Sequence, residues 1–357
     1  MTIIFFFLTI TSMNIDKKAV RALVLRLADA GGKNVAANVS STFDISRQSA
    51  NAHLVQLVKA GEIVPEGATK ARIYHLAVTS EISESFPREG LAEDRVWRST
   101  FASVLSDLPQ NVRDIWHYGM TEMINNAIDH SGSLDVRIGL RRTALHTVGW
   151  VADDGEGIFL KIQKSLGLFD PREAILELAK GKLTTDPDNH TGEGIFFSSR
   201  MFDAFEIRSG NLFFAHDDGA EDFLIEHPKG APGTFVSLKL ANDSARIQKE
   251  VFDSFAAPDQ FTFDRTIVPV RLAQYEGEKL VSRSQAKRLT MRFERFKTVM
   301  LDFTGVETIG QAFADEVFRV FQAVHPGVAL HPIRMTPAVE GMVKRALAGA
   351  IINAPRK

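Results

Sequence analysis

The 357-residue sequence contains no cysteine, which removes disulfides, thiolate metal sites and cysteine nucleophiles together and suits a reducing cytoplasm. It also has no apolar run of membrane length. The opening Ile3-Ile4-Phe5-Phe6-Phe7-Leu8 is far short of the ~20 residues a spanning helix needs, and it lacks the basic start and small-residue cleavage site of a secretory signal. Residues 1–12 are therefore expected to be a hydrophobic extension or mis-start ahead of Met13, with a short membrane or partner anchor as the alternative. No sign of charge dominates. A net charge of -2 with 24% charged residues means that any nucleic-acid site has to be local. Internal repeats and low-complexity tracts are missing too. What remains is a chain with 45% apolar residues, longer than a typical domain of roughly 100 to 200 residues, so two or three compact units are expected.

From Met13 to Val78 the pattern predicts three short helices and a hairpin. Val20, Leu23, Val24 and Leu27 recur at helical spacing, and Val35, Ala36 and Val39 form a second stripe after Gly31-Gly32. Ser46 is placed to cap a third helix, Arg47 to Lys59, which stops at Gly61. Ile63-Val64 and Arg72-Ile73-Tyr74-His75-Leu76 read as two strands around the tip Pro65-Glu66-Gly67. The segment resembles the winged-helix transcription regulators, particularly in Ser46-Arg47-Gln48-Ser49-Ala50-Asn51-Ala52-His53-Leu54 followed by Lys59-Ala60-Gly61. In that geometry Arg47, Gln48 and Asn51 would face a DNA major groove, because Ala50, Leu54 and Leu57 must face the core; Lys70 and Arg72 would charge the wing. Nine Lys/Arg against five Asp/Glu over residues 13–78 suit phosphate contact. A winged helix used only for dimerisation or protein contact is the alternative.

Residues 79–95 are polar, acidic and broken by Pro87 and Gly90, and are expected to be a linker. A second block, residues 96–243, mixes helices and strands. Its helix Val112 to His130 carries Glu122, Asn126 and His130 at successive steps of four, so they line one stripe. An amide oxygen such as that of Asn126 can complete an octahedral magnesium shell with triphosphate oxygens and water. A carboxylate one turn earlier, Glu122, can orient or deprotonate a nucleophile. His130 could reach phosphate or simply be satisfied at the helix end.

The paired strands Leu134 to Leu140 and Thr147 to Val151 lead into Asp153-Asp154-Gly155-Glu156-Gly157. There Asp153 can accept the exocyclic amino proton of adenine, while the glycines let backbone approach the base. A helix Pro171 to Gly181 precedes the polar stretch Lys182 to Thr191, which suits a lid closing over a ligand. Gly192-Glu193-Gly194 opens a helix, Ile195 to Phe202, whose free amides can hold phosphate oxygens. Gly233-Thr234 enters a strand that runs to Leu240.

These four boxes, in this order, resemble the GHKL (Bergerat-fold) superfamily of DNA gyrase, MutL proteins, histidine kinases and anti-sigma-factor kinases over about 145 residues. The resemblance implies a mixed sheet covered by helices, ATP and Mg2+ as cofactors, Asn126 on the metal and Glu122 as base. It implies Asp153 on adenine with Thr234 beside it, and Gly155, Gly157, Gly192 and Gly194 shaping a pocket that Ile158, Lys182, Thr191, Glu193 and Ile195 complete. No phosphoacceptor histidine stands on an upstream dimerisation helix, His117 lying inside the Glu122 helix, and no transducer domain of the gyrase or MutL kind follows. The compact form is most similar to the anti-sigma kinases.

The third block, residues 258–357, alternates strands and helices: a strand Thr266 to Leu272, a helix from Ser282, a strand Val299 to Phe303 and a helix from Gly310. Val299 to Phe321 resembles STAS-like domains, the fold of anti-anti-sigma factors, and most closely the STAS-like family of unknown function often found behind an ATPase. Where phosphorylated STAS proteins start that last helix with serine, this chain has Gln311 and Ala312, which disfavours phosphorylation there and leaves Thr304 and Thr308 as remote options. Asp315 and Glu316 suit the helix dipole.

The whole is expected to be an α+β multidomain, cytoplasmic regulator: winged helix-turn-helix, GHKL α/β sandwich, STAS-like α/β domain. DNA is the expected partner of the first, a protein that of the last, and a homodimer is open. A serine/threonine kinase of the anti-sigma type acting on a separate partner is the rival expectation.

Overall fold

A computed structural model describes residues 16–68, 72–183, 192–217, 223–257, 260–275 and 278–352. Residues 1–12, most of the expected lid, Lys70 and Thr191 lie outside the described residues. The fold is α+β and divides into two compact units, one reaching to Glu81 together with Arg141–His146, the other formed by Ile82–Leu140 and the chain from Thr147 onward.

In the first unit, α1 (Lys17–Asp29), α2 (Val35–Phe43) and α3 (Arg47–Lys59) are followed by the strands β1 (Ile63–Glu66) and β2 (Ile73–Leu76). Local chemistry sets these boundaries. Asp16 accepts the N–H groups of Lys18 and Ala19 to cap α1, and Ser46 Oγ accepts the N–H of Ser49 at 3.1 Å to cap α3. The strands pair antiparallel, Ile63 opposite Leu76 and Glu66 opposite Ile73. Val20, Val24, Leu25, Val39, Ala50, Leu54 and Ile63 form the buried core, against which Ala144 and Leu145 also pack. Those last two residues are remote in sequence, so the 13–78 boundary omits a piece that the core uses.

The second unit opens with β3 (Ser80–Pro87), α4 (Glu93–Val96) and a π-type turn at Trp97–Phe101. The expected linker is therefore structured: β3 is an outer strand of a five-stranded sheet ordered β3-β4-β5-β7-β6. Its polar composition is that of an edge strand whose half-buried residues Ile82 and Phe86 lie on one face, with Pro87 at its end where no ladder N–H is needed. Then come α5 (Gln110–His130), β4 (Asp135–Arg142), β5 (His146–Asp153), α6 (Ile158–Leu166), α7 (Glu173–Lys180), α8 (Gly194–Met201), β6 (Ala204–Asp217), β7 (Phe223–Ala241) and α9 (Gln248–Phe255). The apolar face of α5 buries Ile115, Trp116, Met120 and Met123, and Trp116 meets Phe202 edge to face at 4.9 Å.

After the short pair β8 (Ala256–Ala257) and β9 (Gln260–Phe263), a second sheet of three parallel strands forms from β10 (Arg265–Pro269), β11 (Thr298–Asp302) and β12 (Ala329–Ile333). Between and beyond them lie α10 (Arg283–Thr290), α11 (Gln311–Asp315), α12 (Gln322–Val324) and α13 (Pro337–Ile352). Ser282 and Gln285 close α10 with a reciprocal capping box. Two expected elements are corrected. The strand from Thr266 ends at Pro269, where the chain turns into a 3-10 helix, Val270–Ala273; the helix from Gly310 passes into a π-type turn at Glu316–Phe321 after five residues. The expected second and third blocks are joined by a run of phenylalanines: Phe263 stands 4.6 Å from Phe196 and 5.6 Å from Phe296 between ring centroids, within one continuous core.

Candidate functional site

A cavity of about 300 Å3 opens in the second unit between α5, the end of β5, the start of α6, the start of α8 and the entry to the last part of β7. Helix α5 contributes Glu122, Asn126 and His130 to its wall, as their spacing predicts. One end of the Asn126 amide is buried and has no hydrogen-bond partner among the described residues; the nitrogen and oxygen of an amide can exchange places, so this end can present either. Glu122 reaches across to α8, where a Cβ at Gly194 would stand 2.0 Å from its Oε2. Only glycine lets the carboxylate lie against the start of that helix.

Asp153 closes β5. Its Oδ1 accepts the N–H of Gly155 at 2.9 Å and of Thr234 at 3.3 Å, while Thr234 Oγ1 accepts the N–H of Ile158 at 3.0 Å. Two distant turns are thus fastened together under the cavity. Burial pushes the Asp153 carboxyl above the usual carboxylate range, opposed by these two backbone N–H groups. Gly155 lies behind the wall rather than on it, for a Cβ there would fall 1.9 Å from the carbonyl oxygen of Ser131.

Gly157, Ile158, Gly192, Glu193, Gly194, Ile195 and Thr234 all line the cavity. Burial raises the Glu193 carboxyl, with the charge of Lys182 pulling it back, and burial followed by the charges of Glu122 and Glu193 raises the Tyr118 phenol. Lys182 itself does not line the cavity. Its Nζ turns to the segments around β10 and β11, donating to the carbonyl oxygen of Arg295 at 3.1 Å and standing 3.5 Å from Asp264. A carboxylate and a carbonyl engage the ammonium there, while its charge still acts on Glu193 at the cavity wall.

Several lining residues had no sequence signal. Leu178 and Leu183 supply an apolar side, and Lys161, one turn into α6, places its Nζ 2.8 Å from the carbonyl oxygen of His130. A lysine in an amphipathic helix reads as solvated until its neighbours are known.

Of the residues expected to meet DNA, Arg47, Gln48, Asn51 and Arg72 are exposed, the first three on α3. In the C-terminal module, Asp315 at the end of α11 pairs with Arg319 through two hydrogen bonds of 2.5 and 2.6 Å that hold its carboxyl below the usual range, and Thr304 donates to Asp302 at 2.7 Å. Gln311 begins α11 with no hydroxyl beside it.

A family model described as a STAS-like domain of unknown function (DUF4325) matches residues 285–340, from within α10 through β11, α11, α12 and β12 to the start of α13. The C-terminal module is STAS-like. No curated protein matches the chain. The STAS-like match includes Arg292 and Arg295, whose side chains reach back to the stretch after α7. No helix among the described residues is long and apolar enough to cross a membrane.

Proposed function

We propose that this chain is an ATP-binding regulatory protein of the GHKL type, in which a magnesium-dependent nucleotide site gates DNA binding by an N-terminal winged helix and protein binding by the STAS-like module. The observation that supports it most is the convergence of Glu122, Asn126, Asp153, Gly194 and Thr234, spread over more than 100 positions of sequence, on one cavity of about 300 Å3. That volume is at the lower end of the range for small-molecule sites, about 300 to 1,000 Å3.

The donor set fits an adenine nucleotide. Asp153 keeps Oδ1 for two backbone N–H groups, and its Oδ2 has no hydrogen-bond partner among the described residues; that oxygen is the acceptor for an exocyclic amino group. The N-terminal amides of α8, eight residues long, point their dipole toward the anionic end of a ligand beside Glu193 and Gly194. The partnerless end of Asn126 is suited to a magnesium ion, which supplies charge neutralisation to phosphate oxygens when bound. Glu122, at the same end of the cavity, is the group that would take a proton from a water or a hydroxyl. In the first unit, exposed Arg47, Gln48 and Asn51 on α3 form a surface of the type that enters a major groove.

Release of phosphate from ATP by the purified full chain, with and without DNA, tests the reading. Magnesium-dependent release that disappears in Glu122→Ala is expected. Transfer of labelled phosphate to a protein of a cell extract would favour the kinase alternative, and no binding of ATP at all would overturn both.

A further inference from the structure

Helix α7 touches the cavity on one side and the STAS-like module on the other. Leu178 lines the cavity, whereas Glu177 and Lys180 are buried, at 1% and 0% side-chain exposure, against the C-terminal segments. Lys180 Nζ donates to Glu177 at 2.5 Å, to the carbonyl oxygen of Met291 at 2.9 Å and to that of Arg288 at 3.2 Å, and Thr266 Oγ donates to the Lys180 carbonyl at 2.7 Å. Arg292 completes the group, donating from Nη1 to Glu177 Oε2 at 2.8 Å. Such a buried ionic group is costly to open, because removing any member leaves a desolvated charge behind.

The same arginine also holds the chain that follows. Nη2 of Arg292 donates to the carbonyl oxygens of Gly181 and Lys182, and Arg295 Nη1 donates to the Lys182 carbonyl at 3.1 Å. Lys182 has φ 52°, a left-handed conformation that a side chain with a Cβ adopts only when its surroundings compensate. The compensation comes from the STAS-like module. Next in the chain, Leu183 lines the cavity, and its N–H donates to the carbonyl oxygen of Gly192 at 3.1 Å. A Cβ at Gly192 would fall 2.3 Å from the Leu183 carbonyl carbon, so the two backbones are in direct contact. Two residues on, Gly194 begins α8 against Glu122.

We infer that the STAS-like module sets the ligand affinity of the cavity, with Arg292 and Arg295 as positioning residues that clamp the Gly181 and Lys182 carbonyls and through them fix Leu183, Gly192 and the start of α8. This rests on the nucleotide reading of the cavity given above. The STAS-like module is thus a wall support of the site in the same chain, and any ligand or modification that draws Arg292 or Arg295 away loosens the site.

The absence of cysteine permits a clean test in the full-length chain. Leu183→Cys introduces a single thiol on the wall, and its rate of reaction with a maleimide dye is compared in the otherwise unchanged chain, with Arg295→Ala and with Arg292→Met. Binding of methylanthraniloyl-ATP with magnesium is measured in parallel on chains that keep Leu183. Both arginine substitutions are expected to speed labelling at least fivefold and to weaken nucleotide binding by a similar factor. Arg295 is exposed, so its substitution should leave the melting temperature nearly unchanged, and it decides the matter if Arg292→Met unfolds. Unchanged labelling, or unchanged affinity despite faster labelling, overturns the inference. Failure of the unsubstituted chain to bind the nucleotide overturns instead the reading of the cavity, and the labelling rates still report whether the clamp exists.

Discussion

The backbone N–H of Thr234 donates to Asp153 Oδ1 at 3.3 Å, across 81 positions of sequence. This bond ties the mouth of the last part of β7 to the end of β5 and fixes the carboxylate with its other oxygen available. Asparagine in its place can still accept both N–H groups but can also turn an NH2 toward the cavity, where it would oppose an amino group. Asp153→Asn is expected to weaken adenine-nucleotide binding at least tenfold, read with a fluorescent ATP analogue, while urea unfolding changes by no more than about 1 kcal/mol. Retained binding would remove Asp153 from the role of base reader.

The contact of Gly155 with the Ser131 carbonyl makes a second expectation independent of ligand. An added Cβ would fall 1.9 Å from a backbone oxygen that cannot rotate away. Gly155→Ala is expected to destabilise by about 3 kcal/mol, near the upper end of ordinary overpacking. Gly327, with nothing within 4 Å of the corresponding position, is the control and should tolerate alanine within about 0.5 kcal/mol in urea unfolding.

Burial pushes the Lys180 ammonium down to about 8, with Glu177 drawing it back up and Arg292 adding to the depression. In the unfolded chain the same group titrates near 10.4. Between about pH 8 and 10 the unfolded state therefore holds more protons, and stability rises with pH through that window; below it both states are protonated and the contribution is flat. From pH 7.5 to 9.5 the gain in unfolding free energy is expected to exceed that of Lys180→Met by about 1 to 2 kcal/mol. Identical slopes in the two proteins would contradict this.

Leu145, at the turn between β4 and β5, packs on the core of the first unit. Leu145→Asp puts a charge against that apolar cluster and is expected to cost about 2 kcal/mol. Limited proteolysis should show faster cleavage within α1 to β2, and unaltered cleavage there would mean that the turn contributes nothing to this core.

If the first unit meets DNA through α3, its exposed side chains separate by chemistry. Arg47→Ala should reduce the dependence of log affinity on log salt by about one, the signature of a lost phosphate contact, whereas Asn51→Ala should cost about 1 to 3 kcal/mol at one base position. Absence of both effects in a binding titration over salt would point to α3 as a protein-contact surface.

Several features were legible without any structure because their causes are local. The Ser46 cap that starts the Arg47–Lys59 helix and the helix start at Ser282 depend on residues within four positions of each other. The stripe of Glu122, Asn126 and His130 follows from helical periodicity alone, and the glycines mark where backbones approach closely. The strand β3 escaped because an edge strand with one solvated face has the composition of a linker. Lys182 opens a polar stretch in the sequence, and only the tertiary structure brings its ammonium to Asp264 and the Arg295 carbonyl. Sequence periodicity and capping chemistry determined which elements form and which polar residues share a face. The tertiary structure alone decided that Leu145 belongs to the first core, that Leu178 and Leu183 wall the cavity, and that Lys180 is buried, because each depends on which distant segments meet and exclude water.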